Sequence, residues 1–435
     1  MAMPQPQASR KRLHYAWIVA GVTFLTLLAA AGVRSSPSVF IVPIETEFGW
    51  TRTTVSAAIA INLLLYGLLG PFSAAFMDRI GLRATAIIAF AIMAVGMLGT
   101  LGMTASWQMM LLWGVVIGTG SGIASLVMGA VVANRWFIAS RGLVMGLLTS
   151  SFAAGQLIFL PLLAAIVTNH SWRWAVVLIT AIILLMIPVV ALLLRDYPRD
   201  CGLTPYGAPD DFQDTPAPRR VNPFASAISS LGEAFASRDF WLLSLSYWVC
   251  GATTNGLIGT HLIPFCIESG VPAETAAGVL ASMGIFNFIG TTASGWLSDR
   301  FDSRYLLFSY YSLRGISLLF LPYIFDFSFY GLTLFTVFYG LDWIATVPPT
   351  VRLAGNSFGV ARAGMMFGWI TAMHQVGSAT AAAGAGWLHD TVGTYTSSFL
   401  VSGALCFIAA LAVLPVGRRP APGRPIEVAP AGAAA

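Results

Sequence analysis

Few side chains in this sequence could do chemistry, and they stand out because their surroundings are apolar. Arg34, Arg314, Asp342 and the pair His374-Gln375 all lie inside long hydrophobic runs. A charge at the centre of a hydrocarbon layer costs roughly 2.5–3.5 kcal/mol on insertion scales, so each needs a reason to be there. An arginine presents a planar fork that grips a carboxylate bidentately. Arg34 is therefore read as an anion site; the alternative is a long side chain that reaches back to the polar boundary or ties helix ends together. His374, with Gln375, could hydrogen-bond a solute or exchange a proton near neutral pH, and the alternative is a neutral imidazole satisfied by a neighbouring segment. His261, nearer the end of its run, is a further candidate for substrate contact, with an interfacial hydrogen bond as its alternative. Asp342 and Arg314 stand in successive runs, and the economical account is that they form a buried charge pair. If Asp342 turns to a cavity instead, it becomes a proton carrier. Tyr66 and Asn287 are candidate polar liners, with Asn62, Asn255 and Gln156 behind them. For each of these a helix–helix hydrogen bond explains the residue as well as a substrate contact does.

A second group of charges sits between runs. Asp78-Arg79 with Arg83, and Asp299-Arg300 with Arg304, each follow one apolar run and precede another. The two aspartates are 221 residues apart, close to half of the 435-residue chain, and Tyr66 and Asn287 hold equivalent places ahead of them. A charged loop repeated at that distance describes two copies of one unit. The remaining reactive types form no constellation. His14, His170, His261, His374 and His389 are scattered, and Cys201, Cys250, Cys266 and Cys406 show no paired spacing. A metal site, a cofactor, a disulfide framework and an enzyme's nucleophile–base pair are not expected. A phosphate-binding Walker sequence is missing, which argues against an ATP-driven pump.

The elements that must position these residues are membrane helices. Only 9% of the chain is charged, where a soluble protein would carry about 25%. A bilayer core needs roughly 20 apolar residues per helix. Twelve runs meet that need, near 15–42, 53–77, 84–104, 107–134, 141–168, 172–194, 239–267, 273–298, 304–325, 328–352, 362–388 and 395–416. Closed barrels would show alternation instead. With a cytoplasmic N-terminus, 19 of the 23 Lys and Arg fall on the cytoplasmic side, Arg34, Arg52, Arg173 and Arg314 being the rest. That bias places both termini and both Asp-Arg loops in the cytoplasm. The net charge of +5 is confined to loops and tails, so nucleic acid is not an expected partner. The expected organisation is a cytoplasmic tail (1–14), a six-helix bundle (15–194), a Pro- and Asp-rich linker (195–238), a second six-helix bundle (239–416) and a disordered tail (417–435). Arg10-Lys11-Arg12 could be taken for the start of a signal peptide, but the run behind it is too long and lacks a cleavage site.

The Asp-Arg loops resemble the loop of the major facilitator superfamily that joins helices 2 and 3 and recurs between helices 8 and 9. The repeat extends further: Phe137 aligns with Phe358, and Gly146 and Gly155 with Gly368 and Gly377. The resemblance implies two six-helix halves that rock about a substrate near mid-bilayer between them. It also implies that helix 1, and so Arg34, lines that cavity. In this family the loop aspartates meet a helix N-terminus and nearby arginines, here Arg79, Arg83, Arg141, Arg300 or Arg362, as latches. Small residues in helices 4, 5 and 11, among them Gly114, Gly118, Gly120, Gly122, Gly142, Gly146, Gly364, Gly368 and Gly377, serve either close packing or rocking.

Several segments narrow the likeness to the monocarboxylate and oxalate/formate branch. They are Arg34-Ser-Ser-Pro-Ser-Val-Phe, Asn134-Arg-Trp-Phe137 with Arg141-Gly-Leu-Val-Met-Gly146, Val347-Pro-Pro-Thr350, and Gly384 to Asp390 with Gly393-Thr-Tyr395. One departure matters. The branch tends to place an Arg in helix 8 and often a Lys in helix 11; here helix 8 has no Arg before Arg300 and helix 11 has no Lys. Arg34 is the expected replacement. The expectation is a secondary transporter that moves a small organic anion, a monocarboxylate, with a proton by alternating access. It would act as a monomer in a bacterial inner membrane. A carrier of a neutral or amphipathic compound, such as a drug or metabolite exporter, is the first alternative. A non-transporting membrane sensor is more remote, since the linker is too short for a sensing domain.

Overall fold

The computed structural model describes residues 14–209, 212, 231, 232, 234–327 and 330–417. The basic N-terminal segment around Lys11, most of the linker and the tail from Arg418 lie outside the described residues. Among the described residues twelve long helical stretches follow one another. They are α1 (Tyr15–Phe48), α2 (Arg52–Ile80), α3 (Leu82–Thr100), α4 (Ser106–Trp136), α5 (Arg141–Asn169) and α6 (Trp172–Leu193). Then come α7 (Arg238–Gly251, Ala252–Ile258 and Gly259–Glu268), α8 (Ala273–Ser298), α9 (Ser303–Phe320), α10 (Tyr330–Asp342 and Val347–Phe358), α11 (Val360–Val392) and α12 (Thr396–Val413). Eight of them are long and apolar enough to cross a bilayer by length and composition alone. The other four, α7, α9, α10 and α11, carry breaks in the helix or polar residues such as Arg314, Asp342 and His374. Among the described residues there is no strand, only one isolated bridge between Phe137 and Tyr206.

The chain packs as two units. The N-unit holds the described residues of Met1–Pro223 with Leu262–Gly284, and the C-unit those of Phe224–His261 and Ile285–Ala435. The excursion Leu262–Gly284 is tied to the N-unit by Arg52, which donates to Glu45 at the end of α1 and to Glu268 at 2.9 Å.

Local sequence explains where helices start and how closely they pack. Thr51 caps α2 and Asp302 caps α9 with side-chain oxygens, satisfying amide donors that a helix start leaves free. The start of α3 is capped from a distance: Asp196 accepts from the Arg83 amide at 2.8 Å. Gly81 there has φ +91°, and a Cβ on it would collide with the Asp196 carboxylate. In the N-unit, Gly114, Gly118 and Gly122 recur every fourth residue of α4 and press on Ile61, Asn62 and Leu65 of α2. Gly155 of α5 lies on Ala31 of α1. In the C-unit, Gly251 of α7 meets the His374 carbonyl of α11, and Gly377 meets that of Trp248. Small residues at these points let helix backbones touch. Gly142, Gly146 and Gly368 have no such neighbour.

Within α4 and α10 the chain turns out of the helix partway. In α4 the chain leaves helical geometry at Ala124 (ψ 46°) and Ser125 (ψ 175°). In α10 residues 343–346 form turns between its two halves. Pro348 and Pro349 account for the second break, because a proline lacks an N–H and its ring clashes with the carbonyl four residues back.

Candidate functional site

Arg34 of α1 opens into a small recess in the N-unit, lined also by Leu27, Ala30 and Ala31 of α1, Tyr66 of α2, Ser121, Ala124 and Leu126 at the α4 break, and Ser151 and Phe152 of α5. Its guanidinium carbon lies 4.0 Å from the centre of the Tyr66 ring and 4.8 Å from that of Phe152. Such contacts attract a cation to the ring face without neutralising it. Among the described residues no carboxylate pairs with Arg34. The recess offers little else that is polar. Ser121 donates to Gly118 O (3.1 Å) and Ser151 to Leu148 O (2.6 Å). The arrangement is a half-buried cation, steadied by aromatic rings, at the end of an apolar cleft. Tyr66 is brought to Arg34; its adjacency was invisible in a sequence that separates the two residues by a whole hairpin.

The other buried arginine is used differently. Arg314 of α9, 1% exposed, donates from Nε to Asp342 Oδ2 at 2.5 Å. Nη2 reaches the carbonyls of Asp342 (2.6 Å) and Trp343 (3.3 Å), and Nη1 reaches Cys250 Sγ (3.0 Å) and Thr253 Oγ1 (3.4 Å) of α7. All five guanidinium donors therefore have acceptors, two of them carbonyls at the α10 break. Neighbouring helices supply the rest of that break. Asn287 Oδ1 of α8 accepts from the Ile344 amide (3.1 Å) and from Thr291 (3.0 Å), Ser294 of α8 donates to Ala345 O (2.5 Å), and Cys250 Sγ lies 3.2 Å from Thr346 Oγ1.

The remaining candidates divide. His261 is fully buried, with Nδ1 3.0 Å from the Tyr395 hydroxyl and Nε2 2.9 Å from Ala382 O. Both ring nitrogens are thus taken up by α11 and its junction with α12, leaving none for a solute. Asn287 is likewise occupied by the α10 break, and Asn62 by donation to Trp113 O of α4 (2.9 Å). His374 is half-buried, its ring 4.8 Å from that of Tyr247. Gln375 beside it is buried, and its Oε1 has no hydrogen-bond partner among the described residues.

At the loops, Asp78 pairs with Arg135 at 2.6 Å and Asp299 with Arg352 at 3.2 Å. The expected arginines do other things. Arg83 offers its backbone amide to Asp196, Arg141 donates to Phe137 O (3.1 Å), and Arg300 lies over Trp296 (4.0 Å). The structure gives no pairing of Arg79 with either loop aspartate, and the Arg362 side chain lies outside the description. Arg135 also stacks on Tyr197 (4.5 Å). The start of the linker packs closely here: Tyr206 exchanges backbone hydrogen bonds with Trp136 and Ile138 (2.8 and 2.9 Å) and its ring meets Trp17 and Phe137.

With this geometry in view, the likenesses to known proteins are informative. The family model of the Major Facilitator Superfamily matches residues 22–355. The chain belongs to that superfamily: it is an integral membrane carrier, not an enzyme. Among similar proteins, monocarboxylate transporter 13 of Rattus norvegicus is 27% identical over 393 residues, covering 90% of this chain and 86% of that protein. The uncharacterized MFS-type transporter YcxA of Bacillus subtilis (strain 168) is 25% identical over 419 residues, covering 90% and 92%. The crystal structure of a D-xylose-proton symporter shares the fold, with a TM-score of 0.71 at 15% identity, over 92% of this chain and 98% of that one.

Proposed function

We propose that this carrier moves a small organic anion of the monocarboxylate class together with a proton by alternating access, and that Arg34 receives the carboxylate. The observation that carries the reading is the state of Arg34. It is held by Tyr66 and Phe152 yet has no anionic partner among the described residues, whereas Arg314 is fully engaged. The guanidinium carbon lies over the Tyr66 and Phe152 rings, and its N–H groups are the part suited to a carboxylate fork. The monocarboxylate transporters among its relatives support the same class. Tyr66 is the positioning residue of this site; His374 and Gln375 are separate candidate polar residues within the C-unit. Asn287 and His261 are left out because their hydrogen-bonding groups are already committed. The bias of basic residues supports an orientation with the Asp78 and Asp299 ends on the cytoplasmic side of a bacterial inner membrane, with Asp78–Arg135 and Asp299–Arg352 proposed as latches there.

A thermal-shift panel on the purified protein tests this. Acetate, lactate, pyruvate and benzoate are the anionic probes, with their amides as neutral controls. At least one carboxylate should stabilise the wild type, its amide should not, and Arg34→Ala should lose the shift while melting close to wild type. Stabilisation by neutral or cationic compounds alone would overturn the anion reading in favour of a neutral or amphipathic cargo.

A further inference from the structure

We infer that Oδ1 of Asp342 is the proton-binding atom of this carrier, and that protonation there works by loosening the broken turn of α10. The inference rests on the proton-coupled reading above and names the site that such coupling needs. Asp342 is 8% exposed, and its Oδ1 is buried with no hydrogen-bond partner among the described residues. The other oxygen is held by Arg314. That guanidinium has no donor left to offer Oδ1, because its five N–H groups already reach Asp342 Oδ2, two carbonyls, Cys250 and Thr253. Leaving Oδ1 dry adds a cost to the ionised form, set against the ion pair with Arg314 that favours it. The lone pairs of Oδ1 are where a proton can add without displacing an existing bond.

The groups that face Asp342 come from four helices: Arg314 and Tyr310 on α9, Cys250 on α7, Tyr339 on α10 and Cys406 on α12. Asp342 is the one carboxylate in this set. Taking up a proton forms an O–H bond at Oδ1 and brings the side chain from −1 to 0. Arg314 then becomes an uncompensated buried charge, a strongly unfavourable state. The same guanidinium holds the carbonyls of Asp342 and Trp343, so its departure frees those two carbonyls, while Asn287, Ser294 and Cys250 still hold residues 344–346. Proton binding is thereby converted into backbone freedom at residues 342–343.

Infrared difference spectroscopy of the full chain in liposomes, recorded across pH without any ligand, tests the assignment. A carboxylic-acid C=O band that titrates and shifts in D2O should appear in wild type, persist in Asp78→Asn and Asp299→Asn, and vanish in Asp342→Asn. If Asp342→Asn does not fold, Asp342→Glu should move the band and Arg314→Lys should move its midpoint. A band indifferent to these changes, or no band, would falsify the assignment. Lactate-loaded proteoliposomes add a transport arm. Asp342→Asn should lose uptake driven by a pH gradient and keep lactate–lactate exchange; retained gradient-driven uptake also overturns the inference. If wild type moves none of the monocarboxylates, the functional reading fails, and the infrared band still decides where the proton goes.

Discussion

The two interrupted helices, α4 in the N-unit and α10 in the C-unit, solve one problem with different chemistry. Each break frees a carbonyl, and in each a serine from the neighbouring helix supplies the donor: Ser73 to Ile123 O at 2.6 Å, Ser294 to Ala345 O at 2.5 Å. The two serines are 221 residues apart, so the device belongs to the duplicated unit. Beyond that the halves diverge. The α4 break is neutral, with Ser121 turned back on its own helix, and it borders the recess where Arg34 waits. At the α10 break Asp342 stands in the place of Ser121, and Arg314 closes it. In the N-unit Arg34 thus has no carboxylate partner among the described residues, and in the C-unit Arg314 is locked into the backbone. Difference in partners, rather than presence of charge, separates the two arginines.

The largest expected effect tests that separation. Arg314→Ala leaves Asp342 buried and unpaired and should destabilise the C-unit by about 3–5 kcal/mol, seen as a lowered melting temperature or lost folded yield in detergent. The double variant Arg314→Met/Asp342→Leu should recover most of the stability, because a buried pair replaced by apolar side chains is often neutral or better. Arg34→Ala removes only stacking on Tyr66 and Phe152 and should cost about 1 kcal/mol. Equal losses for the two arginines would show that Arg34 is structural too.

A smaller effect is expected where glycines bring backbones together. Gly251→Ala drives a Cβ into the His374 carbonyl of α11, and Gly118→Ala drives one against the Asn62 backbone of α2 at 2.9 Å. The first contact is backbone oxygen with no room to turn away, so α7 and α11 must part. Each change should cost about 1–3 kcal/mol, the Gly251 variant more. Gly142→Ala, with nothing within 4 Å, should instead gain stability through helix propensity, by up to about 1 kcal/mol. Circular-dichroism melts of the three variants would rank them.

Much of this was legible in the sequence, for physical reasons. Hydrophobic length reveals a spanning helix because a bilayer demands it, and a buried charge asks for a partner because solitude is costly; for Arg314 and Asp342 that argument named a pair, beside the alternative of a proton carrier. What was not legible depends on side-chain reach between distant segments. The arginines that meet the loop aspartates are Arg135 and Arg352, which stand 217 residues apart rather than 221. A comparison at constant offset therefore passes over them, although Arg135 lies in the last turn of α4 and Arg352 in the second half of α10. The approach of Arg34 to both Tyr66 and Phe152 also needs three helices in register. The linker reads as polar and structureless, yet Tyr197 and Tyr206, aromatic residues in a polar stretch, were the signal that its first part packs.

The finest test of the comparison lies in the two serines. Ser73→Ala and Ser294→Ala each remove an O–H from a buried carbonyl, but the consequences should differ. Past the α4 break, the residue four beyond Ile123 is Val127, whose amide can swing toward the freed carbonyl. Past the α10 break, the residue four beyond Ala345 is Pro349, which has no N–H to offer. Ser294→Ala should therefore leave Ala345 O unsatisfied at about 1–3 kcal/mol, and Ser73→Ala should cost nearer 0.5–1.5 kcal/mol, roughly the value of an ordinary hydrogen bond. Adding Pro349→Ala to Ser294→Ala supplies the missing amide and should restore part of the loss. The same proline replacement in the wild-type background should stiffen the turn at 343–346 and, if that turn moves with Asp342, slow pH-driven uptake without weakening carboxylate binding. Thermal melts give the first comparison and proteoliposome rates the second. Rescue of stability with no change in rate would mean that the α10 break is architecture, and that the proton acts on the carrier without bending it there.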